Sequence, residues 1–341
     1  MLKLTRQQLR QALFRQLYCP QSTQTVKQYL NAHPLKRTKM GGVLQQEQLF
    51  LLNRLPKYRP EQLYRLYEQQ LVFDYTMSSG SFIFSQAHAS YLIPFKTAFA
   101  QNNLAQLNAQ ETRIIKQLFQ QQPTMDLTAI QTIIHQRYPI TGHRFPLQQT
   151  LETLIRSGYL HQFHPHAQTL RYRLTTVKHF QSNEQLIKDA YHFLIKETFL
   201  RNGALTLSTI PAYFGLNPLL TQKYVATLIK ERVLRLVELT GEGVRYVHTS
   251  LYEQLKRPYN PAMCVTIVPL TDIQPHSGCS NDCFCLVNGN IVGTKRYTYN
   301  LKTKKIETKT TYYVAISQAL TKEINQQSER IAYHLGRTIS A

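Results

Sequence analysis

The sequence predicts an α+β, mainly helical fold in which tandem winged-helix (helix-turn-helix) units are followed by a β-rich C-terminal domain. Three observations lead to it. An order of three helices and a hairpin recurs three times between residues 1 and 256. From about Pro258 onward, β-branched and aromatic residues dominate. A chain of 341 residues is also long enough for several domains of ordinary size.

The first predicted domain, residues 1–99, begins with helices and ends with a strand pair. Leu9, Leu13 and Leu17 lie at helical spacing in its first segment. The runs LVFDYTM and SFIFSQA, which flank a Ser-Ser-Gly turn, predict a hairpin. We expect helices over residues 5–18, 23–30, 43–55 and 60–67.

The second and third predicted domains, residues 108–177 and 183–256, repeat this order more clearly. In the second, Gly158 ends the third helix, and the runs YLHQFHPH and TLRYRLTTV predict the wing. In the third, VLRLVEL and VRYVHT flank Gly241 and Gly243 in the same way. The predicted helices are 111–120, 127–136 and 146–157 in one domain, and 184–200, 207–214 and 218–231 in the other.

The fourth predicted domain, residues 258–341, contains strands and a closing helix over 320–335. Its Asn288-Gly289 pair is a strong signal for a two-residue hairpin turn, because both residues tolerate a positive φ. We therefore expect two antiparallel strands to meet at this pair.

The charge of the chain points to a polyanionic partner. Lys and Arg number 40 against 19 Asp and Glu, which gives a formal charge of +21. Because 43% of the residues are hydrophobic and only 17% are charged, this charge is carried by a folded chain rather than by a disordered basic tail. Double-stranded DNA is the expected partner of winged-helix units, and a ribosomal role or an anionic membrane surface is the alternative.

The sequence predicts a cytoplasmic protein that is associated with the nucleoid when bound to DNA. No apolar run approaches the roughly 18 residues needed to cross a membrane. The N-terminus is basic and amphipathic but lacks a small-residue cleavage site. The five cysteines are odd in number and clustered, which does not suit a secreted disulfide framework. We expect no membrane partner, and the sequence leaves protein partners open.

A metal site is suggested by His276, Cys279, Cys283 and Cys285. Their spacing does not match the paired C-x2-C ligands of structural zinc, so we expect no metal. The sequence also shows no Walker phosphate loop, no GxGxxG after a strand and no nucleophile elbow. We therefore expect no cofactor.

DNA contacts are predicted first in the second domain. The third helix of a winged-helix unit enters the major groove while the wing lies along the backbone or the minor groove. Gln and Arg side chains can make bidentate contacts to base edges. The alternative is that these polar groups form the solvated face of a protein-contact module. The candidate contact residues are Arg144, Gln148 and Gln149 at the helix, and Arg171 and Arg173 on the wing.

The densest basic patch lies in the C-terminal hairpin, residues 293–313, where basic residues are interleaved with tyrosines. Strand alternation predicts that Lys295, Tyr297 and Tyr299 share a face that offers a charge to phosphate and a ring for stacking. The alternative is a Lys-rich edge hairpin that only prevents edge-to-edge aggregation. The candidate contact residues here are Lys295, Arg296, Lys302, Lys304 and Lys305.

The run GVLQQEQ at residues 42–48 resembles the Gly-apolar-Gln-x-Gln or Gln-x-Asp motif of the AlkZ/YcaQ family of winged-helix DNA glycosylases. Two registers are open. Gln45 with Glu47 resembles the Gln-x-Asp form, and Gln46 with Gln48 resembles the Gln-x-Gln form. In LLNRL, Arg54 resembles the arginine of the family's "aRL" segment, about one helical turn closer to the glutamines, and we expect it to contact DNA.

The resemblance covers nearly the whole chain. In one register, AHASYLIP is similar to the family's "AHAASLLP", which makes His88 the family histidine. In a competing register, Ser79 and Ile83 stand where the family's "RGTLH" pattern has Arg and His. FLIKETFLRNGALTLSTIPAYFGLN resembles the family's third winged-helix segment, and LVNGNIVGTKR resembles "vdGrvvGtWr" with Lys295 in place of Trp. SERIAYHLG is similar to the closing "eaerla.FLG".

The resemblance implies removal of alkylated or crosslinked purine bases by a water molecule that attacks the anomeric carbon. Such a reaction needs an acceptor side chain close to the nucleotide. Glu47 would be the general base and Gln45 would orient the water, whereas in the other register Gln46 and Gln48 would share the task. His88 would polarise a phosphate or the sugar. The alternatives are a solvated Gln-rich helix and a structural histidine.

A different function is also open. The chain could be a non-catalytic winged-helix DNA-binding protein or transcription regulator, and the departures at Ser79 and Ile83 favour this alternative. A replication initiator or mobile-element protein that uses tandem winged helices is a third class.

Overall fold

The computed structural model describes residues 1–18, 24–37, 46–77, 80–92, 109–137, 146–157, 159–166, 169–174, 184–256, 264–269, 282–300 and 302–340. The chain forms two compact units. The terminal unit comprises Met1–Tyr29, Lys36–Gln62 and Leu194–Ala341, and the central unit comprises Leu30–Leu35 and Leu63–Phe193.

Helices and strands alternate along the described chain. The helices are α1 (Arg6–Tyr18), α2 (Val26–Ala32), α3 (Gln46–Arg54), α4 (Pro60–Glu68), α5 (Ala109–Gln121), α6 (Leu127–Arg137), α7 (Leu147–Arg156), α8 (Glu184–Asn202), α9 (Ile210–Phe214), α10 (Pro218–Lys230), α11 (Thr249–Lys256) and α12 (Gln318–Ser340), with a 3-10 helix at Gln86–Leu92. The strands are β1 (Leu2–Leu4), β2 (Leu35–Arg37), β3 (Val72–Met77), β4 (Gly80–Ser85), β5 (Thr124–Asp126), β6 (Leu160–His166), β7 (Thr169–Leu174), β8 (Leu234–Leu239), β9 (Gly243–His248), β10 (Val265–Pro269), β11 (Asp282–Val287), β12 (Asn290–Asn300) and β13 (Lys305–Tyr312).

The central unit contains a six-stranded sheet with strand order β2-β4-β3-β6-β7-β5. The hairpins β3-β4 and β6-β7 are the first two predicted wings, and Asp74 of β3 pairs with Gln162 of β6 to join them in one sheet. Helices α5, α6 and α7 pack on the second hairpin around a core that includes Ile115, Phe119 and Leu154. The short strand β5, which the sequence analysis does not predict, pairs with β7. The second predicted domain therefore has the helix and hairpin order of a winged helix.

The terminal unit contains the hairpin of the third predicted domain, extended by an unexpected strand. Strands β8 and β9 form the antiparallel hairpin, and β1 pairs in parallel with β8, with Leu2 opposite Val237 and Leu4 opposite Leu239. Leu4, Val237 and Leu239 are buried together. The sequence analysis assigns the N-terminal segment to the first domain, but its apolar residues cover the open edge of β8.

The C-terminal strands form the predicted β-rich region. Strands β10 to β13 make an antiparallel sheet in chain order, and α12 packs against β10 and β13. Asn288 and Gly289 have φ angles of 50° and 84°, as a two-residue hairpin turn with both central residues left-handed requires. The predicted turn is confirmed. The helices and strands of the described residues also confirm the predicted α+β class.

Candidate active site and DNA interface

Helix α3 carries the residues of the glutamine-rich motif. It begins at Gln46, with Glu47 in its first turn. Gln45 and the glycines before it lie outside the described residues, and Gln46 is placed only as the first residue of the helix. Glu47 and Gln48 are the motif residues whose side-chain contacts the structure describes.

Glu47 is a buried carboxylate beside an arginine. Its side chain is 3% exposed, and its Oε1 lies 3.5 Å from Nε of Arg37 on β2, which is 14% exposed. A buried carboxylate is costly unless a cation is nearby, and the guanidinium favours the ionised form. A general base must start in the ionised form and must reach the proton that it removes.

Gln48 points into the core of the terminal unit. The residue is fully buried, and its Oε1 accepts a hydrogen bond of 2.5 Å from the hydroxyl of Tyr58, which is also buried. A buried amide oxygen needs such a donor because unpaired burial costs about 1–3 kcal/mol. The side chain of Gln48 is therefore held by a contact inside the protein.

Asn53, near the end of α3, ties the helix to the C-terminal sheet. Its Nδ2 donates to the carbonyl oxygens of Leu49 at 2.9 Å and Ile267 at 2.7 Å. Its Oδ1 accepts from the backbone N–H of Ile267 at 3.4 Å and from Nε2 of Gln327 at 3.1 Å. Ile267 lies on β10, the edge strand of its sheet, so the amide of Asn53 occupies the place of a residue in a further strand.

The last turn of α3 is held from two sides. Arg330 of α12 donates to the carbonyl oxygens of Leu55 at 3.2 Å and Pro56 at 2.6 Å, directly after the helix. Arg54 is 7% exposed, and its Nη1 lies 3.4 Å from the carbonyl oxygen of Arg15 on α1. The protein encloses this guanidinium, and the expected DNA contact of Arg54 stays a prediction.

A buried polar cluster surrounds Arg54 within the terminal unit. Glu197 and Arg201 of α8 form an ion pair of 3.9 Å, and Glu197 is 1% exposed. Burial raises the pKa of Tyr29, although the positive charges of Arg201 and Arg54 oppose the shift. The contacts within the cluster offset the free-energy cost of removing these charges from water. The cluster also holds α8 against the helices that precede α3.

His88 lies in the central unit, within the 3-10 helix. It is 2% exposed, and its Nε2 is 2.9 Å from the carbonyl oxygen of Asn31. The rings of Phe84 and Phe193 lie 6.1 and 4.6 Å from the imidazole, measured between centroids. These contacts are those of a packed core histidine, and its predicted role toward a phosphate or sugar stays a prediction.

The predicted DNA-contacting residues of the second domain divide into exposed and buried side chains. Gln148 and Gln149 on α7 and Arg171 on β7 are exposed. Arg173, two residues further along β7, is 7% exposed, and its Nη2 lies 3.4 Å from the carbonyl oxygen of Val72. Burial also lowers the pKa of Arg173. Arg173 is therefore covered by the protein although it shares a face of β7 with exposed Arg171, and its DNA contact stays a prediction. Arg144 lies outside the described residues.

The C-terminal hairpin exposes most of its predicted cations. Lys302, Lys304 and Lys305 are exposed at the turn between β12 and β13. Arg296 is exposed as well, but it makes a bidentate contact with Asp282 at 2.7 and 2.9 Å, and this contact raises its pKa. Of the predicted contact residues on this hairpin, the three lysines are therefore the best placed to contact phosphate.

Lys295 is buried in the C-terminal sheet, so its expected DNA contact stays a prediction. It is 3% exposed, and its Nζ donates to Oδ1 of Asn325 on α12 at 3.4 Å. Tyr297 on the same face is fully buried, and its hydroxyl lies 3.3 Å from Oγ of Ser328. The alternation along β12 was predicted correctly, but α12 covers this face of the sheet.

The sequence and the fold were compared with known proteins. The profile described as "DNA glycosylase AlkZ-like" matches residues 39–272, more than half of the chain, and this range includes α3. The chain belongs to the AlkZ-like DNA glycosylase family. The DNA glycosylase AlkZ of Streptomyces sahachiroi is similar in structure, with a TM-score of 0.67 over 98% of each chain at 13% sequence identity. No curated protein sequence matches the chain.

As a member of the AlkZ-like family, this protein is a DNA-binding DNA-repair glycosylase. The comparison also agrees with the resemblance seen in the sequence and with the winged-helix order of the fold. No helix in the described part of the chain combines the length and apolar character that crossing a bilayer requires.

Sequence reasoning missed three residues that support the AlkZ-like motif helix. Arg37 stands in the basic run LKRTK, which looks like a linker before the motif glycines. Tyr58 and Asn53 carry no signal of their own in a single sequence, because their partners are 10 and 214 residues away. Only the tertiary structure shows that they hold α3.

The cysteine cluster near the start of β11 is only partly described. Cys283 and Cys285 are buried, and burial raises the pKa of Cys285 to about 11. His276 and Cys279 lie outside the described residues. Within the described ranges, no group of three potential ligands stands close enough together to hold a metal ion.

Proposed function

We propose that this AlkZ-like glycosylase removes alkylated or crosslinked purine bases from double-stranded DNA by attack of water on the anomeric carbon. The observation that carries the proposal is the buried carboxylate of Glu47 beside Arg37 on the motif helix. A carboxylate in this position can accept a proton from water and can also stabilise the positive charge that develops on the sugar.

The contacts of α3 support one of the two motif registers. The Oε1 of Gln48 accepts a hydrogen bond from the hydroxyl of Tyr58, whereas the Oε1 of Glu47 lies 3.5 Å from the guanidinium of Arg37. We therefore propose Glu47 as the general base, with Gln45 orienting the attacking water. Gln46 and Gln48 are proposed to support the helix start rather than the reaction.

The chemistry of the substrate fits a site built around one carboxylate. Alkylation of a purine at N7 places a positive charge on the base, so the base leaves as a neutral molecule and needs little acid assistance. The remaining requirement is a negative group near the sugar and an activated water, because the sugar becomes cationic as the bond breaks. Glu47 supplies the negative charge near the sugar and activates the water.

Exposed cations are proposed to hold the duplex. Lys302, Lys304 and Lys305 on the C-terminal hairpin and Arg171 on the wing of the second domain are exposed and suit contacts to phosphate. Gln148 or Gln149 would face base edges. A chromosomal substrate would place the protein in the cytoplasm, associated with the nucleoid.

A second candidate function is DNA binding without catalysis. Ile83 is fully buried in the sheet of the central unit, at a position where one register of the family pattern has a histidine. In that register the histidine of the pattern is absent and an apolar core residue replaces it. The experiment below separates the two functions.

The test uses duplexes that carry N7-methylguanine or an N7-linked interstrand crosslink, treated with alkali after incubation to cleave abasic sites. We expect strand cleavage at the lesion with the wild-type protein, and none with Glu47→Ala. Tight binding without any abasic sites would overturn the glycosylase proposal in favour of the non-catalytic one. Activity that survives Ala substitution of Gln45, Gln46, Glu47 and Gln48, one at a time, would overturn the catalytic assignment.

A further inference from the structure

Helices α9 and α10 form a helix-turn-helix element in the terminal unit. Gly215, with φ at 69°, ends α9 in a left-handed conformation, and Asn217 begins α10 as its N-cap. The side chain of Asn217 accepts hydrogen bonds from the backbone N–H groups of Leu219 at 3.0 Å and Leu220 at 3.1 Å. In winged-helix proteins the second helix of this element is the one that faces DNA.

The rotation of α10 about its axis is fixed by its buried residues. Thr221, Tyr224, Val225 and Leu228 are at most 3% exposed and recur at helical spacing. The opposite side forms a continuous exposed stripe from the first turn to the last, which we call the α10 stripe. It consists of Leu219, Gln222, Lys223, Ala226 and Lys230.

The α10 stripe has the chemistry of a DNA-reading surface. Glutamine makes bidentate contacts to adenine in the major groove, and lysine contacts guanine or phosphate. The small side chain of Ala226, at the middle of the stripe, allows the helix to approach the groove floor, where a methyl group meets thymine. Helix α10 contains no Asp or Glu between Pro218 and Lys230, and an exposed carboxylate, that of Glu231, follows only at its C-cap.

The corresponding helix of the second domain is a poorer match. Helix α7 also exposes two glutamines, but Glu152 lies on the same exposed side, one turn after Gln148. A carboxylate at that position would face the phosphates of a docked duplex. The sequence pattern alone favoured α7, whereas the exposed side chains of the folded protein favour α10.

The wing next to α10 turns at two glycines that have no neighbours on their side-chain side. Gly241 and Gly243 at the turn between β8 and β9 have φ angles of 79° and 77°, and nothing lies within 4 Å of a Cβ placed on either. The one carboxylate between them, Glu242, bonds to Arg6 and lies 3.5 Å from Arg245. The hydrogen bond from Arg6 holds the pKa of Glu242 below its usual value, so the acid is paired with cations of the protein.

We propose that the α10 stripe docks in the major groove of duplex DNA and reads bases outside the lesion. The positive charge of the chain, the acid-free stripe and the open wing all favour a duplex over a protein partner. This contact does not depend on excision of a base, and it gives the enzyme a preference for the sequence beside the lesion. The proposal rests on the DNA binding that follows from family membership.

The test measures binding to an undamaged duplex by fluorescence anisotropy over a series of salt concentrations. Lys223→Gln is expected to raise Kd about fivefold to tenfold and to reduce the salt slope by about 1. Ala226→Glu should weaken binding further than Ala226→Gln, because the two side chains have nearly the same size and differ in charge. Lys322→Gln, which removes an exposed cation from α12, is the matched control and should leave Kd within twofold.

A second measurement identifies the groove. The N7 atom of guanine lies in the major groove, so docking of α10 should protect guanines beside the lesion from methylation by dimethyl sulfate, and Ala226→Glu should remove this protection. Circular dichroism of each variant confirms that the helix content is unchanged. Wild-type Kd in both Lys223→Gln and Ala226→Glu, or equal weakening by Lys322→Gln, would overturn the proposal. Since the anisotropy measurement uses undamaged DNA, failure of the base-excision proposal would leave the Kd values unaffected.

Discussion

Removal of the amide of Asn53 tests how firmly the motif helix is tied to the C-terminal sheet. Asn53 is 4% exposed, and Asn53→Ala deletes four hydrogen bonds to Leu49, Ile267 and Gln327. Each is worth about 1 kcal/mol net, and a buried edge N–H or C=O left without a partner costs about 1–3 kcal/mol. Allowing for water that enters the vacated site, the loss of unfolding free energy should be about 3 kcal/mol.

Urea unfolding followed by far-UV circular dichroism measures this loss. Asn202→Ala is the matched control, because Asn202 also donates to a carbonyl oxygen four residues earlier, that of Thr198, but is exposed to water. We expect a loss below about 1 kcal/mol for the control. Asn53→Asp should be at least as destabilising as Asn53→Ala, since a carboxylate would face two carbonyl oxygens. An Asn53→Ala protein within 0.5 kcal/mol of wild type would refute this interpretation of the contacts.

Three further predictions concern the C-terminal sheet. Burial lowers the pKa of Lys295, with Cys285 opposing the shift, so the unfolded chain binds more protons than the folded chain at pH values just below the ordinary lysine pKa. Wild type should gain unfolding free energy as the pH rises through that range, and Lys295→Met should lack this gain and be more stable by about 1 kcal/mol at neutral pH. Cys285, with a pKa of about 11 and no exposure, should resist iodoacetamide at pH 8 until urea unfolds the chain, and rapid labelling detected by mass spectrometry of its peptide would contradict its burial. Gly293→Ala should cost more than about 2 kcal/mol in urea unfolding, since the new Cβ would lie 2.4 Å from the carbonyl oxygen of Thr311, and a neutral result would mean that β12 and β13 separate easily.

Local patterns predicted most of the secondary structure. The helix expected over 127–136 is observed over Leu127–Arg137, and the helix expected over 218–231 is observed over Pro218–Lys230. Apolar periodicity and the proline at a helix start act within a few residues, so a single sequence contains the whole signal. The Asn288-Gly289 turn is predictable for the same reason.

Long-range pairing was not predictable. Strand β1 has three residues and finds its partner β8 more than 200 residues later. The hairpins of the first two domains share one sheet through a single residue pair, Asp74 with Gln162, and neither residue has a pattern that indicates this contact.

The sequence motif predicts the candidate catalytic residues, which stay a prediction, but it does not indicate the residues that contact them. Glu47 was selected from the motif, whereas the burial and the Arg37 contact that make it a credible base depend on β2. Alternation along β7 and β12 was expected, but which face is buried depends on the elements that pack there. Arg173 and Lys295 were therefore assigned to DNA although the protein covers both.

The most direct test of the account is the rate of base excision by Glu47→Gln under single-turnover conditions, with the enzyme in excess over a duplex that carries N7-methylguanine. Gln has nearly the same size as Glu and cannot act as a base, so the excision rate should fall by about 10²- to 10⁴-fold, while Kd for the same duplex should stay within about twofold of wild type. An excision rate within tenfold of wild type would contradict the assignment of Glu47 as the catalytic base.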